Sequence, residues 1–141
     1  MARADIPTID AASAPYWEAA RQGRLLIAKC ATCERVHHYP RPFCPFCWSE
    51  DVHPVRANGT GTLYTYSTVY VNDLAPFKER LPYVAAIVEL DEGPRLMTTI
   101  EGAEPDDLWV GMPVAAMFRP VDDSDPDSPY LTLFTPSERK P

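Results

Sequence analysis

Residues 30–47 have the sequence CATCERVHHYPRPFCPFC, in which ten residues separate two CxxC turns, and the chain has no other cysteine. Each CxxC turn can direct two sulfurs at one ion, and a hairpin formed by the spacer brings the two turns together. The pattern therefore predicts a metal site whose ligands are Cys30, Cys33, Cys44 and Cys47. Four thiolates fill the tetrahedral shell of zinc and leave no position for water, so the predicted role is structural.

Two other chemistries use the same four side chains. The spacing does not distinguish zinc from the iron of a rubredoxin-type site, so iron stays an alternative. A pair of disulfides is the weaker alternative, because secreted disulfide scaffolds are usually shorter and spread their cysteines along the chain. The N-terminal residues lack the basic-then-apolar pattern of a secretory leader, so we expect a cytoplasmic protein in which thiols stay reduced.

Composition narrows the class of protein. The 141 residues include 13 Lys and Arg against 20 Asp and Glu, which gives a net charge of −7. This balance argues against a protein that mainly holds nucleic acid, since phosphate affinity comes mostly from clustered Lys and Arg. Hydrophobic residues make up 45% of the chain, as in globular proteins, and no apolar run reaches the roughly 20 residues that span a bilayer.

The first half of the chain is predicted to be an arm, a helix and a zinc ribbon. Residues 1–12 form the arm, and a short helix begins at Ser13 as N-cap and ends at Gly23. Residues 25–29 and 36–39 are predicted strands on either side of the first CxxC turn. The helix and ribbon occupy residues 13–50, and residues 51–56 are predicted to be a linker.

Residues 57–135 show a period of two and are predicted to form a barrel. Residues 62–71 alternate, with Leu63 on one face and Tyr64, Tyr66 and Tyr70 on the other. Residues 83–90 alternate again and turn through Gly93 into a further strand, and two more strands follow. Five strands suit a small Greek-key barrel of the OB type, although a sandwich fragment or an SH3-like barrel shares much of the pattern. Residues 136–141 form a polar tail.

The fold class is thus mainly β, with an N-terminal helix and a rubredoxin-like zinc ribbon followed by a five-stranded OB-fold barrel. The sequence offers no catalytic constellation. Its three histidines, His37, His38 and His53, all lie in or near the ribbon, so the barrel has no histidine base for a Ser or Thr nucleophile. We therefore expect a chain that is not an enzyme on its own.

Several motifs in order resemble one family. They are Tyr16-Trp17, Gly23-Arg24-Leu25, the two CxxC turns with Pro42 and Pro45, Gly59-x-Gly61-Thr62-Leu63-Tyr64, Pro82-Tyr83-Val84, Glu89-Leu90-Asp91-Glu92-Gly93 and Val110-Gly111-Met112-Pro113-Val114. Together they cover residues 13–135 and resemble the zinc-ribbon/OB-fold acyl-CoA-associated family, domain of unknown function 35. One departure is Glu34, where such ribbons often place glycine after the first CxxC.

The resemblance implies a partner more than a reaction. Members of the family assemble with thiolase-like acyltransferases or aldolases of lipid or steroid metabolism, and the thiolase-like subunit supplies the nucleophile. This chain would then be a non-catalytic accessory subunit that holds or channels acyl-CoA at the subunit boundary. The candidate partner- or CoA-binding residues are Tyr16, Trp17, Arg24, Arg41, Tyr64, Tyr66 and Phe77. A single-stranded nucleic-acid binder and a stand-alone acyl-CoA-binding enzyme remain the alternatives.

Overall fold

The computed structural model describes residues 4–137. One helix and eight strands follow in this order: α1 (Ala14–Arg21), β1 (Leu26–Cys30), β2 (Val36–His37), β3 (Val52–Arg56), β4 (Thr60–Val69), β5 (Tyr83–Leu90), β6 (Arg95–Ile100), β7 (Pro113–Pro120) and β8 (Tyr130–Pro136). Short 3₁₀ turns occupy Phe77–Arg80 and Pro105–Asp107. The mainly β fold predicted from the sequence is confirmed.

Helix α1 begins and ends where the sequence predicts, but the hydrogen bonds at its N-terminus differ from those of a serine cap. Gly23 has a φ of +75°, and the Arg24 N–H donates to the Ala19 carbonyl, which is the hydrogen bond of a glycine C-terminal cap. At the other end Ser13 already has helical backbone angles, and its side chain caps no helix N–H. The cap lies one turn earlier, where Asp10 Oδ1 accepts the Ser13 N–H at 2.8 Å and Ser13 Oγ accepts the Asp10 N–H at 3.1 Å. Ser13 thus precedes the helix as the predicted N-cap residue, but the capping hydrogen bonds at this end are those it makes with Asp10.

The ribbon is a three-stranded antiparallel sheet in the order β2-β1-β3. Its third strand corrects the sequence prediction, because five of the six residues of the predicted linker 51–56 form β3 (Val52–Arg56). Five residues of β3 pair with β1, and Pro54 lies opposite Ala28. A proline inside a strand argues against a strand assignment, but β3 is an edge strand, where the missing N–H is tolerated.

Strands β4 to β8 close a barrel in the order β4-β5-β6-β8-β7, with β7 also paired to β4. This is the five-stranded barrel that the sequence predicted. The predicted alternation of β5 is confirmed, since every second residue is buried: Val84, Ala86, Val88 and Leu90.

Strand β4 departs from strict alternation. Its pairing with β5 skips one residue, because Leu63 lies opposite Val88 and Thr65 opposite Ile87, so Tyr64 is the bulged residue. Beyond the bulge the faces exchange, and Tyr66 packs against the core while Tyr64 is exposed. The prediction that Tyr64 and Tyr66 share one face is therefore wrong.

The ribbon and the barrel share one hydrophobic cluster. Leu25 and Ile27 belong to the same cluster of buried residues as Leu63 and Phe134 of the barrel. The helix strengthens this joint, since the Tyr16 hydroxyl shares a hydrogen bond of 2.9 Å with Thr132 Oγ1. Arg21 donates to the carbonyls of residues 126–128 at 2.8–3.1 Å.

Candidate metal centre and partner surfaces

The four cysteine sulfurs lie together at the tip of the ribbon. Each Sγ is within 4.8 Å of the other three, and the pairs Cys30–Cys47 and Cys33–Cys44 are both 3.6 Å apart. A tetrahedron with Zn–S bonds of about 2.3 Å has S–S edges of about 3.8 Å. The arrangement therefore fits one four-coordinate ion, and the predicted ligand set is brought together.

The two CxxC turns have nearly the same backbone hydrogen bonds. The Cys30 N–H donates to the Arg35 carbonyl at 3.0 Å, and the Cys44 N–H donates to the Ser49 carbonyl at 2.7 Å. Each cysteine carbonyl in turn accepts an N–H from the residue four positions later, at 2.9 Å in both turns. A metal ion bound by these cysteines would be held by two matching turns that face each other.

The residue after each CxxC turn has a left-handed backbone. Glu34 has a φ of +64° and Trp48 a φ of +68°. Glycine adopts this region without a steric cost, and other residues disfavour it. The departure noted at Glu34 does not change the turn, since Glu34 takes the conformation that glycine would take. Trp48, which stands at the equivalent position of the second turn, was not singled out from the sequence.

Backbone N–H groups point at two of the sulfurs. Cys30 Sγ accepts the Cys33 N–H at 3.5 Å, and Cys44 Sγ accepts the Phe46 N–H at 3.4 Å. The Cys33 N–H lowers the pKa of the Cys30 thiol to about 6, which favours the thiolate that a metal requires. The Ser49 N–H lowers the pKa of Cys47, but burial and the other sulfurs outweigh it and raise that pKa to about 12. The four sulfurs thus include thiols whose pKa is lowered and one whose pKa is raised by its neighbours.

Two of the three histidines that lie in or near the ribbon are buried. His37 and His38 are each 7% exposed, and both His37 ring nitrogens and His38 Nδ1 are enclosed with no hydrogen-bond partner among residues 4–137. Desolvation lowers the pKa of both rings, to about 4 for His38, so they are neutral at pH 7. His53 is exposed and lies 2.5 Å from Asp51.

The candidate partner- or CoA-binding residues do not form a single site. Tyr16 and Arg41 line one cavity of about 210 Å³, which lies between α1, β1, β3 and the segment 38–41. Trp17 packs edge-on against Tyr16 with ring centroids 5.1 Å apart. Arg24 donates to the Gln22 side chain and lines a separate groove near Arg56.

The other three candidates lie on the barrel. Tyr64 is exposed under Arg95, whose guanidinium carbon is 3.8 Å from the ring centroid. The Tyr66 hydroxyl donates to the Leu108 carbonyl at 2.8 Å, so this side chain closes the core. Phe77 is half-buried beside a groove of about 650 Å³ along β6 and β8. Whether any of the seven candidates binds a partner or CoA stays a prediction.

Charge is distributed unequally between the two parts. Residues 13–57 contain six Lys and Arg against four Asp and Glu, whereas residues 58–137 contain four against thirteen. The ribbon part therefore has a small positive excess and the barrel a large negative one. An anionic ligand or an acidic protein surface would approach the chain from the ribbon side.

A four-cysteine ribbon packed on a closed five-stranded barrel defines a class of two-part chains. Residues 17–53 match the family of the ChsH2 rubredoxin-like zinc ribbon domain, and residues 54–119 match the ChsH2 C-terminal OB-fold domain. A DUF35 domain-containing scaffold protein of Methanocaldococcus jannaschii is 36% identical over 81% of this chain and 82% of its own length. The chain belongs to the DUF35 family.

Two further relatives are informative. A solved structure described as an Ltp2-ChsH2(DUF35) aldolase contains a chain that is 41% identical, with a TM-score of 0.78 over 92% of this chain and 98% of that one. A probable enoyl-CoA hydratase alpha subunit of Thermomonospora curvata is 42% identical over 90% of this chain. This chain spans only 37% of that relative's length. Within residues 4–137, no helix has the length and apolar character needed to cross a membrane.

Proposed function

We propose that this chain is a non-catalytic accessory subunit that binds a thiolase-like acyl-CoA enzyme. The observation that carries the proposal is the 41% identity and TM-score of 0.78 to a chain of the Ltp2-ChsH2(DUF35) aldolase. Relatives named as DUF35 scaffold proteins and as subunits of a benzoylsuccinyl-CoA thiolase support it. The closed sulfur shell agrees with this role, because it leaves no coordination position for a substrate.

The metal in this proposal is structural zinc. Zinc prefers four tetrahedral ligands, and the S–S distances of 3.6 Å fit Zn–S bonds of ordinary length. Cys30, Cys33, Cys44 and Cys47 would hold the ion, which would fix the two turns against each other. One zinc per chain by elemental analysis is the expected result, and iron with a rubredoxin-like absorption spectrum would replace zinc in the proposal.

The same proposal places acyl-CoA at the subunit boundary on the ribbon side. The cavity between α1 and the ribbon sheet has apolar walls that include Pro15, Ile27 and Val52, with the Arg41 side chain at its edge. A guanidinium suits a phosphate or carboxylate group, and the apolar walls suit a pantetheine or acyl chain. The positive excess of residues 13–57 supports the same side of the molecule.

Co-expression with a thiolase-like protein of the same organism tests the proposal. We expect the two chains to elute together, and we expect thioester carbon–carbon bond formation or cleavage to need both. Failure to associate, with thiolase activity unchanged when this chain is absent, would rule the proposal out. Thioester turnover by the isolated chain would instead make it an enzyme.

A further inference from the structure

The second metal turn presents an aromatic surface to solvent. It consists of Phe43, Phe46 and Trp48 with the guanidinium of Arg35, and we name these four side chains the knuckle surface. Trp48 is 73% exposed and Phe46 is 50% exposed. Large apolar side chains grouped on a surface in this way are typical of a binding site rather than of a packed core.

The knuckle surface is held rigidly. The Trp48 ring stacks on that of Phe43 with ring centroids 5.2 Å apart and planes 13° apart. The backbone N–H of Trp48 donates to the Cys44 carbonyl at 2.9 Å. Its φ of +68° is a conformation that glycine would adopt more easily. A mostly exposed tryptophan at such a position contributes little to the fold, which is the pattern expected of a residue retained for contact with another molecule.

The charge on the knuckle surface indicates what it binds. The Arg35 guanidinium carbon lies 5.1 Å from the centroid of Phe46, and no carboxylate of residues 4–137 comes within 4.0 Å of its nitrogens. Burying this cation against a partner is favourable when the partner supplies a carboxylate that pairs with it. The acidic barrel would repel such a partner, so its approach is directed to the ribbon.

We infer that the thiolase-like subunit docks on the knuckle surface through an apolar pocket bordered by carboxylates, an inference that rests on the proposed function. Tryptophan, other aromatic residues and arginine are the side chains that dominate binding energy at protein interfaces. Their fixed orientation on the metal turn lowers the entropic cost of association. The pocket takes the Trp48 ring, and its carboxylates pair with Arg35.

Trp48→Gly tests the inference, with Glu34→Gly as the matched control. Both replacements place glycine at a left-handed position after a CxxC turn, so both are compatible with the backbone and with metal binding. Binding to the co-purified thiolase-like subunit is measured by surface plasmon resonance at two salt concentrations. We expect Trp48→Gly to weaken binding at least 50-fold and Glu34→Gly to leave it within about twofold.

Two further variants make the outcome decisive. Arg35→Glu is expected to weaken binding at least tenfold and to reverse its salt dependence, because salt would screen the repulsion between the introduced carboxylate and those of the partner. The double variant Tyr70→Ser/Val71→Ser alters a comparably exposed apolar patch on the barrel, where these residues are 71% and 77% exposed, and is expected to bind normally. Normal binding by Trp48→Gly and Arg35→Glu with retained metal would overturn the inference while leaving the proposed function intact. If the unaltered chain fails to bind, both proposals are wrong.

Discussion

Single residues in this fold tolerate little extra volume where strands approach closely. Gly61 lies in β4, and a Cβ built on it would stand 2.3 Å from the carbonyl oxygen of Glu89. The obstacle is backbone of the paired strand β5, so no side-chain rotation relieves it. The Gly59-x-Gly61 motif noted in the sequence thus has a steric cause at its second glycine.

Gly61→Ala is therefore expected to destabilise the barrel. Forcing β4 away from β5 at this point should cost about 1–3 kcal/mol or more. Urea unfolding followed by circular dichroism measures the change, and Ser67→Ala, an exposed substitution in the same strand, serves as control. Equal unfolding midpoints for the two variants would show that the strands can separate without cost.

The left-handed position at Glu34 leads to the opposite expectation. A non-glycine residue at a φ of +64° costs about 1–2 kcal/mol, and glycine loses about 0.5–1 kcal/mol more conformational entropy on folding. Glu34→Gly should therefore stabilise the ribbon by about 0.5–1 kcal/mol. The thermal midpoint of the zinc-loaded protein should rise, and a lower midpoint would mean that the Glu34 side chain makes a contact that the turn needs.

At the scale of elements, helix α1 depends on a cap at Asp10, which precedes its first residue, Ala14. Hydrogen bonds from the Ser13 backbone N–H and side chain lower the pKa of the Asp10 carboxyl below its ordinary value. A lowered folded-state pKa contributes stability that is present above the unfolded pKa near 4 and is lost as the pH falls through the folded pKa. Helix docking should thus weaken under acidic conditions.

Asp10→Asn tests this dependence, because asparagine keeps an acceptor for the Ser13 N–H but cannot titrate. We expect the thermal midpoint of the unaltered chain to fall more between pH 6 and pH 3 than that of Asp10→Asn. Asp125→Asn, in the loop between β7 and β8, controls for a general effect of removing one carboxylate. Identical pH profiles for the chain and Asp10→Asn would show that the cap does not couple to protonation.

Element by element, the sequence predicts the parts of this fold that have a clear period or a fixed ligand spacing. The two CxxC turns gave all four candidate ligands, and strict alternation gave β5 with its buried face. The bulge at Tyr64 was not predictable, because one extra residue changes the register of β4 without changing its composition. Strand β3 was missed because a proline such as Pro54 disfavours a strand inside a sheet, and the sequence does not show that β3 lies at the sheet edge.

At the scale of the whole molecule, surface contacts are what sequence patterns predict least. Tyr16 and Arg41 are 25 positions apart in the chain and line one cavity, whereas Tyr64 and Tyr66 are close neighbours in sequence and lie on different faces. Packing between separate elements decides which of these side chains lie together and which lie apart. The same packing joins residues of the ribbon and of the barrel into one buried cluster. A metal that stabilises the ribbon would therefore also affect the stability of the barrel.

Removal of the metal should weaken the barrel as well as the ribbon. Binding of zinc to a ribbon contributes directly to folding, and Leu25 and Ile27 of the ribbon are buried in the cluster that contains Phe134. Without the ion, β1 would lose its fixed end at Cys30, and its two apolar side chains would leave the barrel partly uncovered. We expect chelation, or Cys44→Ser, to accelerate hydrogen exchange in β5 at least tenfold, and zinc to restore protection in the chelated chain but not in Cys44→Ser. Unchanged exchange in β5 alongside an unfolded ribbon would mean that the barrel is stable alone, and that the metal organises only the surface on which a partner docks.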